Sequence, residues 1–215
     1  LATLSVPRNE HLYTLNAITR RGPGDEKERP ATPLRFLVLL SIAVGLGTGG
    51  GDTLGAFIVS YSVDSGLAEN SAALLLAVGS LAGLLARVIA GRLIDNRQAA
   101  DLTTVAGMIT AGAVGITLLN VGGTAGLYGG AMLAFTAAWG WAGLFTFAIV
   151  KDNPEAPAAA SGITQTGKYI GAALGPPIFG FIADRVSFTA AWWFSTIVLL
   201  MAASLILYVR NQRHQ

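Results

Sequence analysis

The chain has no cysteine, only two histidines and little charge: Asp, Glu, Lys and Arg together make up 12% of its 215 residues. Without thiols it can hold no disulfide, no thiolate metal centre and no cysteine nucleophile. His11 and His214 stand near the two ends, outside every apolar stretch, so no histidine-activated serine can be assembled within the apolar region. No cofactor and no metal are expected. So little charge also fails to supply the surface of an ordinary soluble domain.

What the chain has instead is apolar length. It is 53% hydrophobic with 27 glycines and a mean hydropathy of +0.57. Charges and turn residues mark off six apolar segments, at about 35–61, 72–94, 100–121, 124–150, 160–182 and 189–209. Each is near the roughly 20 residues that cross a hydrocarbon core about 30 Å thick. The expected fold is an all-α membrane protein with six transmembrane helices, and its first partner is the lipid bilayer.

A sequence pI near 9.2 could suggest nucleic acid, but the positions of the cations argue for topology. Twelve of the fourteen Lys and Arg residues, from Arg8 to Arg35, Arg87 to Arg97, Lys151, Arg210 and Arg213, fall on one side if six spans alternate. Arg185 alone falls on the other, and Lys168 lies inside a span. Because cytoplasmic loops carry the excess of Lys and Arg, both termini are expected in the cytoplasm of a multi-pass plasma (inner) membrane protein. No nucleic-acid partner is expected.

Residues 1–33 are polar and mixed in charge and read as a cytoplasmic linker, followed by a six-helix half at 34–215. The stretch begins without Met and has no short apolar signal core, so the chain is expected to be cut from something longer.

Five spans carry residues of interest. In the second, Gly79, Gly83, Arg87 and Gly91 recur at every fourth position, which puts one cation on a stripe of glycines. That span ends in the charged turn Gly91-Arg-Leu-Ile-Asp95-Asn-Arg97. The first span holds the run Gly45 to Gly55 with Asp52 inside it; glycines allow close helix approach or local unwinding. A carboxylate at that depth needs a proton, a partner or water. Asp52 is therefore either the counter-ion of a cation on another helix or a coupling group. The fifth span holds Lys168, about two turns in and on a stripe of small residues. Pro176 and Pro177 follow, and are expected to bend or break the helix. The aromatics of the fourth span, Trp139, Trp141, Phe145 and Phe147, read as packing, and Trp192 and Trp193 as anchors at the outer interface.

Gly91-Arg-Leu-Ile-Asp95 and Gly180-Phe-Ile-Ala-Asp184 are 89 residues apart, and the same offset carries the first span onto the fourth and the third onto the sixth. Three spans separate the copies, so the two triplets are inverted, an arrangement typical of transporters.

These residues support a family resemblance. Gly91-x-Leu93-x-Asp95-x-Arg97, with Arg87 one turn earlier, resembles the cytoplasmic loop motif in the second half of the major facilitator superfamily. Gly171-x-x-x-Gly175-Pro176 with Gly180 looks like that family's eleventh helix, and 1–33 like its central loop. Asn96 stands where the motif usually has arginine. The resemblance implies a missing N-terminal six-helix half and secondary active transport by alternating access, without enzymatic activity. An arginine at this place together with a lysine in the eleventh helix is similar to oxalate/formate antiporters. The arginine alone is similar to monocarboxylate transporters, although Gly83 stands where the latter pair it with aspartate. The resemblance implies that Arg87 and Lys168 hold the carboxylate of a small organic anion, with a proton or counter-anion as coupling partner. The alternative readings are that Arg87 snorkels to the cytoplasmic face toward Asp95 and that Lys168 is ion-paired with Asp52.

Three other readings stay open at the level of sequence. The solute could be uncharged or cationic. Gly49-Gly-Gly-Asp52 also fits the pattern of intramembrane aspartyl proteases, which need a second membrane aspartate. A self-sufficient six-helix channel or scaffold is the third.

Overall fold

The computed structural model describes residues 32–97 and 101–213, with the side chains of 93–97 outside the description. The linker expected at 1–33 lies outside it except for Thr32 and Pro33. Six helices follow one another: α1 Leu34–Asp64, α2 Glu69–Arg97, α3 Leu102–Val121, α4 Gly123–Asp152, α5 Pro157–Arg185 and α6 Phe188–Arg213. Among the described residues there is no strand.

Local chemistry sets the helix ends. Pro33 precedes α1 and Pro157 opens α5, positions where a missing N–H costs no helical bond. Gly66, at φ 92°, turns the chain after α1, and Gly123, at φ 59°, turns it between α3 and α4. Both values lie in the left-handed region that glycine enters without a steric penalty.

Five of the helices are long and apolar enough to cross a membrane. The exception is α5, which has the length, 29 residues, but falls short on composition. It carries Gln165, Lys168, three prolines and four hydroxyl residues, which together dilute its apolar run.

The triplets repeat in three dimensions. Leu34 and Gly123, the first residues of α1 and α4, are 89 apart; Glu69 and Pro157, those of α2 and α5, are 88 apart. Exchanging the triplets maps the contact of α1 with α5 onto that of α4 with α2, and the contact of α3 with α4 onto that of α6 with α1. This is the pairing that two inverted three-helix repeats produce. The core is built from α1, α3, α4 and α6, where Leu40, Leu54, Ile58, Ile109, Ile116, Phe135, Leu199 and Ile206 are fully buried. In contrast, only 22% of the apolar window of α2 is buried, so α2 lies at the rim.

The closest seam joins α1 to α5. A Cβ on Gly167, Gly171 or Gly175 would run into the backbone of Ser41, Gly45 or Gly49 respectively. Contacts this close between backbones are what small residues at fourfold spacing permit in membrane helices. Two expectations are corrected here. The helix is not broken at Pro176 and Pro177, since α5 continues through both to Arg185; packing on α1 holds it across the prolines. Trp192 is not an interfacial anchor. It is fully buried, edge-on to Tyr61 at 5.6 Å and to Phe179 at 4.6 Å, while Trp193 beside it is 41% exposed.

One end of the bundle is tied by polar contacts. Asn153 Oδ1 accepts the Thr32 N–H at 3.0 Å. Arg213 pairs with Asp152 at 2.8 Å, and Arg210 with Asp101 at 3.3 Å.

Candidate functional site

The glycine stripe on α2 explains where Arg87 goes. A Cβ on Gly79 would meet the ring of Phe135, and one on Gly83 would lie 2.8 Å from the Phe135 carbonyl oxygen. Because neither has a side chain, α2 lies directly on α4 and delivers Arg87 to Trp139, one turn beyond Phe135. Arg87 Nε donates to the Trp139 carbonyl at 2.7 Å. Its guanidinium carbon stands 5.7 Å from the indole centroid, within cation–π range. The side chain therefore lies across α4 and is held there by Trp139. Gly83 is buried against backbone, so this place on α2 has no room for a carboxylate.

Trp139 also reaches α1. Its Nε1–H donates to the Gly51 carbonyl at 3.2 Å, and the missing side chain of Gly55 makes space for the ring, since a Cβ there would be 2.7 Å from it. Asp52 is the next residue after Gly51. It is half-buried and lies within electrostatic reach of both Lys168 and Arg87, Lys168 acting more strongly. Among the described residues neither cation forms an ion pair with Asp52 within 4.0 Å. The structure thus brings Asp52 of α1, Arg87 of α2 and Lys168 of α5 into one electrostatic neighbourhood without closing any two of them into a contact pair.

Lys168 is half-buried and follows Gly167, whose N–H is held by the Ser41 hydroxyl at 3.0 Å. One turn earlier on the same side of α5, Gln165 Nε2 donates to Thr146 Oγ1 at 3.2 Å, and Thr146 donates to the Ala142 carbonyl at 3.1 Å. The threonine hydroxyl hydrogen is used on Ala142, so its oxygen accepts, which fixes the glutamine amide nitrogen toward Thr146. Gln165 Oε1 is left buried with no partner.

Together these groups form a wall on α1, α2, α4 and α5. An apolar groove of about 350 Å³ follows the α1–α5 seam, lined by Ser41, Gly167, Ile42, Leu46, Ile170 and Leu174 among others. Ile170 is two residues beyond Lys168, about 200° round the helix. Gly91 is exposed with open space around it, and the side chains of Asp95 and Arg97 lie outside the described residues. From sequence Trp139 reads as packing, and neither Ser41 nor Gln165 stands out in a motif. Polar residues in an apolar span are themselves a pointer to function, and Gln165, three positions before Lys168, carried that signal.

Inverted triplets of long apolar helices, with charge gathered on one wall, define a class of polytopic helical membrane protein. The chain belongs to the Major Facilitator Superfamily, which matches it over residues 40–215. It is 28% identical to Monocarboxylate transporter 11 of Homo sapiens, in a match covering 83% of this chain and 42% of that protein. The chain thus spans less than half the length of the curated relative it matches.

Proposed function

We propose that this chain is the C-terminal six-helix half of a secondary transporter that moves a small organic anion by alternating access, with Arg87 and Lys168 as carboxylate ligands. The observation that carries the reading is the charge balance of the wall. Two cations and one carboxylate share an electrostatic neighbourhood among apolar helices, an excess of one positive charge where uncompensated charge is costly. A monocarboxylate brings the missing negative charge. The guanidinium offers it a planar pair of donors, and the lysine a point charge. Asp52 is the counter-ion that shares the wall with the two cations, and as a carboxylate it is also the group on this wall able to carry a coupled proton. The likeness to a monocarboxylate transporter supports the substrate class, and the positions of the cations support a plasma or inner membrane location with cytoplasmic termini.

The test is uptake of radiolabelled lactate and oxalate into proteoliposomes containing the full-length protein, comparing wild type with Arg87→Gln and Lys168→Gln. Each substitution is expected to reduce uptake at least tenfold at equal protein. Unchanged uptake in both variants would refute the anion reading.

A further inference from the structure

Of the four tryptophans, Trp139 is the one whose indole N–H is committed to a backbone partner on another helix. Trp141 and Trp192 are buried with Nε1 unpaired, and Trp193 is exposed. Trp139 donates to the Gly51 carbonyl of α1 at 3.2 Å and accepts Arg87 Nε of α2 on its own carbonyl at 2.7 Å. Phe135 backs the ring edge-on at 5.1 Å. Three helices therefore meet at one residue, and glycines make both approaches possible: Gly83 for α2 and Gly55 for α1.

How Arg87 is held matters for what it can still bind. A guanidinium carries five N–H donors in a fixed plane. The Trp139 carbonyl takes the one on Nε, and among the described residues no hydrogen bond engages the terminal nitrogens. The inner nitrogen is anchored, and the terminal fork that matches a carboxylate remains available. The indole cannot swing away from Arg87 without also releasing Gly51, the residue before Asp52.

We propose that Trp139 is a positioning residue of the anion site: it presents the terminal fork of Arg87 to the ligand and ties that presentation to the glycine run of α1. The proposal rests on the anion reading for its consequence in transport, and on the Gly51–Trp139–Arg87 chain of contacts for its structural content.

The experiment has two arms, both on the full-length protein. In the first, which needs no substrate, hydrogen exchange is followed at the Arg87 Nε–H in ¹⁵N-arginine-labelled protein. Trp139→Phe keeps the backbone carbonyl and an aromatic ring but loses the tie to Gly51, and Gly55→Ala presses on the indole from α1. Each is expected to speed exchange at least tenfold, and rates equal to wild type in both variants would overturn the proposal. In the second arm, lactate and oxalate uptake is measured for Trp139→Phe, Arg87→Lys and the double variant. Trp139→Phe is expected to raise KM at least fivefold, with maximal rate per folded transporter within twofold of wild type. In the Arg87→Lys background, which has no Nε to anchor, it is expected to add less than twofold. A fully additive effect would make Trp139 a packing residue and overturn the proposal. Faster exchange with KM unmoved in Arg87→Lys would instead refute the anion reading while leaving the contact chain in place.

Discussion

The Ser41 hydroxyl bridges Ile163 and Gly167, two residues of α5 that a helix ordinarily joins directly. It donates to the Ile163 carbonyl at 2.8 Å and accepts the Gly167 N–H at 3.0 Å. A side chain of α1 thus enters the hydrogen-bond ladder of α5 one residue before Lys168. Ser41→Ala removes both bonds, and at roughly 1 kcal/mol for each typical hydrogen bond it is expected to destabilise the protein by about 1–2 kcal/mol. Thermal unfolding in detergent measures this, and an unchanged midpoint would count against the bridge.

The glycines of the seam are expected to tolerate no side chain. A Cβ on Gly167, Gly171 or Gly175 would meet backbone of α1, and backbone cannot rotate away as a flexible side chain can. Alanine at any of these positions should destabilise the fold by about 1–3 kcal/mol or more, the usual range for overpacking. Gly143 and Gly162 have open space where their Cβ would be. Alanine there should be neutral, or stabilising by up to about 1 kcal/mol through helix propensity. Midpoints measured side by side decide, because equal effects at both sets would mean that α1 and α5 are not in close contact.

Asp101 gives the bundle a pH dependence at its charged end. Partial burial works to raise its pKa, but the Thr103 hydrogen bond at 2.7 Å and the Arg210 charge outweigh it and hold the carboxyl below its ordinary value. A carboxyl lowered in the folded state stabilises the fold above its unfolded pKa, and the contribution fades as pH falls through the folded value. With its side chain 49% exposed, solvent screening keeps the effect to well under about 1 kcal/mol. Between pH 6 and strongly acidic conditions, Asp101→Asn is expected to flatten a small part of the acid-side loss of stability. A wild-type curve superimposable on that of the variant would remove Asp101 as the cause.

Much of this architecture can be read directly from the residues. Apolar runs end where charges and turn formers begin, so the six helices fall within a few residues of their expected bounds, and the 89-residue offset carries over into the packing. Which face of each helix meets which neighbour was less accessible. A tryptophan at the start of a span reads as an interfacial anchor, and nothing in its neighbours announces that Trp192 is enclosed by Tyr61 and Phe179. Prolines read as breakers, because the seam that keeps α5 continuous through Pro176 and Pro177 is a contact with residues more than a hundred positions away. The charged residues themselves were legible, since any ion in an apolar run stands out. The contacts that aim Arg87 use the carbonyl of Trp139, and a backbone atom leaves no mark in sequence.

Charge balance on the wall predicts a change of preference rather than a simple loss. In the proposed anion site, Arg87 and Lys168 together with an ionised Asp52 carry one net positive charge, which a monoanion would balance. Asp52→Asn preserves the shape of the side chain and removes its charge, leaving two. At an effective dielectric near 20, a unit charge several ångströms away contributes on the order of 1–3 kcal/mol, so the variant should bind dianions more tightly by about tenfold or more relative to monoanions. Lys168→Met in the same background returns the net charge to one and should restore the original preference. Competition of oxalate against lactate uptake measures the ratio in each variant. If the ratio stays constant across all three, Asp52 is too remote or too well screened to act on the ligand, and its place on α1 reflects the packing of the glycine run alone.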